Sequence, residues 1–126
     1  AGGAGDGLYQ EANAINQTRP AKDKVWVIGV DVDQSHLGNY TAKGGQKSNF
    51  VLTSVITGVN VAVKDIANRA YNNKFPGGKN LVYGLKNNGV SIERGQISAS
   101  TWKDAQIARA NILKGKIKVA IHPNNK

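Results

Sequence analysis

Six consecutive apolar residues, Val25 to Val30 ("VWVIGV"), constrain this chain more than any other stretch, because Asp31 and Asp33 follow at once. The run is short and rich in β-branched residues, so it predicts a strand covered on both faces, as at the centre of a parallel sheet. A charge at the end of such a strand stands at the mouth of the sheet, where open α/β folds bind ligands. A carboxylate there can accept two hydrogen bonds from a vicinal diol, such as a sugar's hydroxyl pair. The alternative is that Asp31 and Asp33 cap a loop. Side chains alternate along a strand, so only one of the two acids faces a given ligand. The loop lacks the glycine and terminal glutamate of a calcium-binding loop.

The chain opens with "AGGAGDG" and runs into Leu8, Ala12 and Ile15 at helical spacing, with Asp6 as the expected N-cap. Glycine this dense permits sharp turns and close backbone approach. Such a loop usually joins a strand to a helix whose N–H groups point at a ligand; a tight turn with no ligand is the other reading. It is not a dinucleotide fingerprint, which would need glycine at Leu8, and no Walker lysine follows. Tyr9, one turn into the helix, either lies over a ligand held by the loop or packs in the core. Asp31 is expected beside this loop.

The rest of the pattern alternates strand and helix. "NQTRPAKDK" breaks the first helix, and the polar residues 35–48 read as a loop. "FVLT" reads as a buried strand, and Ser54 as the cap of a long helix with a stripe of Val55, Val59, Ala62, Val63 and Ile66, ending near Asn73. "NLVYGLKNNGVSI" suggests two short strands about an "NNG" turn. A last helix follows a Ser or Thr cap in "SASTW", carries Ala105, Ala108 and Ile112, and stops at Gly115; "KIKVAI" closes as a strand. The expected class is α/β, a mostly parallel sheet flanked by helices, in one domain.

Several functions find no support. The chain has no cysteine and only His36 and His122, so thiolate chemistry is excluded and neither a metal site nor a catalytic base is expected. There is no G-x-S-x-G elbow, and Trp26 and Trp102 read as packing residues. The formal charge is +9, but the basic residues are scattered apart from "KGKIK", without the interleaved aromatics of single-strand binders. Nucleic acid is therefore not an expected partner. No apolar run is long enough for a transmembrane helix.

Taken together, "AGGAGDGLYQEA", "VWVIGVDVDQ", "FVLTSVITGVNVAVKDI", "GLKNNGVSI" and "ILKGKIKV", in that order and spacing, resemble the C-terminal half of the basic membrane protein family. These are PnrA-like surface lipoproteins, substrate-binding components of ABC importers for nucleosides. The resemblance implies one lobe of a type I periplasmic-binding fold, with residues 1–126 as the C-terminal lobe and the lobe's first strand, the other lobe and a lipidated cysteine upstream. It implies a purine nucleoside ligand, no cofactor, no enzymatic activity, an ABC permease partner and a lipid-anchored location on the outer face of the membrane. A ligand-sensing regulatory domain of the same fold is the alternative. By the same resemblance, Asp31 holds the ribose hydroxyls and the loop of Gly2, Gly3, Ala4 and Gly5 lines the cleft with backbone N–H groups. Tyr9 stands where the family commonly has phenylalanine. Three residues after the "TS" pair, in the first turn of the long helix, the family usually has a ligand-contacting lysine; here it is Thr57, a neutral hydroxyl that cannot supply an ammonium's charge.

Overall fold

The computed structural model describes residues 4–120. They form a mixed α/β arrangement in the order α1 (Ala4–Gln17), β1 (Val27–Asp31), β2 (Asn39–Thr41), β3 (Lys47–Asn49), β4 (Val51–Thr57), α2 (Val59–Tyr71), β5 (Val90–Ile92) and α3 (Ala99–Leu113). One sheet has the order β1-β4-β5, with β1 parallel and β5 antiparallel to β4; β2 and β3 make a separate antiparallel pair.

Helix α1 buries Tyr9, Ala12 and Asn16, not the expected face of Leu8, Ala12 and Ile15; Leu8 is 58 % exposed. Apolar spacing could not anticipate that Asn16 works inside. Fully buried, it donates from Nδ2 to the Val25 carbonyl at 2.9 Å and accepts the Val25 N–H on Oδ1 at 2.7 Å. That reciprocal pair fastens α1 to the approach of β1 and rotates the helix accordingly. Asp6 lies inside the first turn rather than before it, close to the positive end of the helix dipole.

Strand β1 ends in Asp31 as expected, but it stands at the edge of the described sheet. Its Val27 and Gly29 are buried, whereas Ile28 and Val30 on the other face are 55 % and 40 % exposed. An apolar run permits cover on both faces; it does not supply the element that gives it.

Strand β4 runs on through Ser54 to Thr57, which moves the start of the following helix to Val59 and leaves Val55 in the strand. Ser54 therefore caps no helix. It is buried, its Oγ accepts the Gln34 N–H at 3.0 Å, and its carbonyl accepts the Glu93 N–H at 2.9 Å. Partners on both sides hold these β-branched residues extended. Gly58 then makes the turn into α2, where a Cβ would come within 2.6 Å of the Asn88 carbonyl oxygen.

The segment read as a loop, 35–48, instead folds into a 3₁₀ turn at Ser35–Gly38 and the β2–β3 hairpin, which delivers Tyr40 and Ala42 to the core. Of the two strands expected about "NNG", only β5 forms. The residues before it make a 3₁₀ turn, Leu85–Asn87, ended by Asn88 in the left-handed region at φ 56°. Lys116 to Ala120 form no strand, and Ile121 lies outside the described residues. Helix α3 follows expectation: Ser98 Oγ accepts the Thr101 N–H, and Gly115 ends it at φ 72°.

The core consists of Tyr9, Ala12, Ala21, Val27, Tyr40, Ala42, Phe50 and Val51. Phe50 is its centre, fully buried with ring centroids 5.6 Å from Tyr40 and 6.3 Å from Tyr9.

Candidate functional site

Parallel strands carry their carboxyl ends to the same side of a sheet, and in β1 and β4 those ends are Asp31 and Thr57. Asp31 is in register with Ile56, one residue short of Thr57. The Thr57 hydroxyl donates to Asp31 Oδ1 at 3.0 Å. The two side chains meet, with Thr57 at a strand end and not in a helical turn. One bond uses one of about four lone-pair positions of a carboxylate, so Asp31 keeps acceptor capacity for other donors.

The backbone at Asp31 is unusual. Its φ is +71°, and the Val32 N–H donates to the Val30 carbonyl at 2.9 Å, closing a three-residue turn around it. A central residue with positive φ marks the rarer and more strained γ-turn, and an aspartate tolerates this region better than the valines on either side. The neighbouring acid does something else. Asp33 accepts the Ser35 N–H at 3.0 Å and the Ser35 hydroxyl at 3.1 Å. Loop capping thus belongs to Asp33 and the cleft position to Asp31.

Beside Asp31 opens a cleft of about 400 Å³ lined by Gly5, Asp6, Leu8 and Tyr9 of α1, by Ile28, Val30 and Asp31 of β1, and by Val32 and Gln34. Of the glycine stretch, Gly2 and Gly3 lie outside the described residues; Ala4 and Gly5 are already helical, in the first turn of α1 rather than in a loop. Gly5 lines the cleft. For Tyr9 the core reading holds. Its ring is buried against Phe50, and it also borders the cleft, with its hydroxyl donating to Gln34 Oε1 at 2.7 Å. Burial pushes its phenol pKa up. The cleft thus joins an apolar and aromatic wall to a carboxylate, and among the described residues no Lys or Arg lines it.

Sequence reasoning missed Gln34. Its Oε1 also accepts the Val30 N–H at 2.9 Å. The only signal was its place at the end of "DVDQ", where a neutral side chain attracts no notice beside two acids.

A second groove, about 370 Å³ between β5 and α3, is lined by Val55, Leu85, Val90, Ile92, Trp102 and Arg109, among others. It is mostly apolar, and the Arg109 guanidinium is engaged with Asn88 Oδ1 and the Leu85 carbonyl. Trp102 packs there, as expected, whereas Trp26 is 43 % exposed with Lys24 Nζ 4.3 Å from its ring. His36 is exposed on the 3₁₀ turn, and His122 lies outside the described residues.

Over residues 1–123 the chain matches the family model described as "ABC transporter substrate-binding protein PnrA-like". It is 46 % identical over 119 residues to the "ABC transporter nucleoside-binding protein BmpA" of Lactococcus lactis subsp. cremoris, covering 94 % of this chain and 34 % of that protein. It is 40 % identical over 125 residues to the "CD4+ T-cell-stimulating antigen" of Listeria monocytogenes, covering 98 % of this chain and 35 % of that one. The chain spans about a third of the length of these curated relatives. By the match over nearly its whole length, the chain belongs to the family of PnrA-like ABC transporter substrate-binding proteins.

Proposed function

We propose that this chain contributes one wall of a nucleoside site in the substrate-binding component of an ABC importer, with purine nucleosides as ligands. One observation carries the reading: the carboxylate of Asp31, held by Thr57, borders the same cleft as the buried ring of Tyr9 and the apolar Leu8, Ile28 and Val30. A nucleoside needs that combination, an acceptor for its sugar hydroxyls and an apolar or aromatic surface for its base. The likeness to a protein named for nucleoside binding supports it.

Charge sharpens the ligand class. Among the described residues the cleft lining contains two carboxylates, Asp6 and Asp31, and no cation, so a phosphate placed against this wall meets like charge. The neutral nucleoside is accepted and the nucleotide rejected. Where the family usually has a lysine, Thr57 offers a hydroxyl, which orients Asp31 without neutralising it. Reaction chemistry has no part in this role. The protein delivers its ligand to a membrane permease, from a lipid-anchored position on the outer face of the membrane.

Calorimetric titration of the full-length protein with inosine, adenosine, cytidine and inosine monophosphate tests the reading. Asp31→Ala is expected to weaken nucleoside binding by about 1.5–3 kcal/mol, the worth of hydrogen bonds to a charged group, and Thr57→Ala by less. Equal affinity for inosine and its monophosphate, or an Asp31→Ala protein that binds as before, removes these residues from the site.

A further inference from the structure

Three segments have no covalent reason to keep a common geometry: the first turns of α1 and the end of β1, which line the cleft, and the middle of β4 behind it. One residue touches all three. Gln34 accepts the Tyr9 hydroxyl and the Val30 N–H on the same Oε1, at 2.7 and 2.9 Å, and donates its backbone N–H to Ser54 Oγ at 3.0 Å. Two donors on one carbonyl oxygen fill its lone pairs and fix the amide plane. The space for it is reserved: a Cβ on Gly29 would come within 3.0 Å of the Gln34 side chain and 2.5 Å of Ser54 Oγ.

The consequence falls on Asp31. The Val30 peptide enters the strained turn at φ +71°, with its carbonyl accepting from Val32 and its N–H from β1's side held by Gln34. A non-glycine residue stays in that region only where its surroundings over-determine it. We propose that Gln34 is the positioning residue of the site: through one amide oxygen it holds both the turn that aims Asp31 and the ring of Tyr9, so that the two walls of the cleft act as a unit. This deepens the nucleoside reading and rests on it.

The test is a double-mutant cycle in the full-length protein, with inosine as the probe and circular dichroism and Tm as controls for folding. Gln34→Leu removes the acceptor and is expected to weaken inosine at least 10-fold. Tyr9→Phe alone gives a few-fold loss and adds nothing in the Gln34→Leu background, because the bond it deletes is already gone. Gln34→Glu keeps an oxygen acceptor in the same place and restores most of the affinity, which a role in bulk packing alone does not require. If Asp31→Ala weakens binding while Gln34→Leu leaves it unchanged, or if the Tyr9→Phe and Gln34→Leu losses simply add, the proposal falls and the nucleoside reading stands. If the unmodified protein binds no nucleoside, both fall.

Discussion

Residues 4–57 and residues 58–120 are held together in different ways. Every apolar core residue, from Tyr9 to Val51, lies in the first stretch, whereas neither α2 nor α3 buries a residue. In the second stretch Val59, Val63, Phe75 and Val82 are all more than 60 % exposed. The second stretch is secured by directional contacts: β5 on β4, Arg109 on the Leu85 carbonyl and Asn88, and Asp65 accepting from both Arg69 Nε at 2.8 Å and Tyr83 at 2.7 Å. The cleft residues Tyr9, Asp31 and Gln34, and Thr57, which bonds to Asp31, all belong to the first stretch. A site that relies on a strained turn stands on the part of the molecule whose packing can hold it.

The contrast can be broken most directly at Phe50. Phe50→Ala empties the centre of the core and is expected to destabilise the protein by about 3–5 kcal/mol in urea denaturation; a loss under 1 kcal/mol would mean that the first stretch is not the packed one. Asn16→Ala comes next, at about 1–3 kcal/mol, because it leaves the Val25 N–H and carbonyl without their partner. In the second stretch, Ile107, 49 % exposed, is expected to tolerate alanine within about 0.5 kcal/mol, and a larger cost would show that α3 is buried in solution.

The smallest effect concerns pH. A hydrogen bond from Arg69, then one from Tyr83, holds the Asp65 carboxyl below the usual carboxylate range. A lowered folded value stabilises fully above the unfolded pKa and is lost as pH falls through the folded one. The hydrogen bond to Asp65, then burial, raises the Tyr83 phenol, whose contribution is complete below the ordinary tyrosine value and is lost as pH rises through the folded one. Asp65→Asn is therefore expected to lower Tm slightly at neutral pH and to flatten its decline toward acid. Parallel Tm–pH curves for the two proteins would assign no role to this cluster.

The legible parts of the molecule were those fixed by local chemistry. A Ser or Thr cap, which the structure gives as Ser98, and the stop at Gly115 bounded α3 because a cap and a left-handed stop act within a few residues. The place of Asp31 at the end of β1 was legible because an acid directly after an apolar strand has few places to go. Ser54 misled for the opposite reason: a serine before an apolar stripe has the signature of an N-cap, and only the distant Gln34 and Glu93 reveal a strand residue. The β2–β3 hairpin was invisible because its strands are three residues each and mostly polar, and its Tyr40 becomes apolar core only against Phe50.

The sequence by itself determined that β1 ends in a carboxylate and that the chain belongs to its family, since these depend on residue type and order along the chain. Only the tertiary structure decided which face of α1 is buried, that Thr57 closes a strand and bonds to Asp31, and that Gln34 joins Tyr9 to Val30. Each of those pairings spans residues whose approach depends on how strands register and helices rotate. A hydrogen bond of about 1 kcal/mol is far too weak to dictate such an arrangement alone; it is selected once the core around Phe50 has brought its partners together.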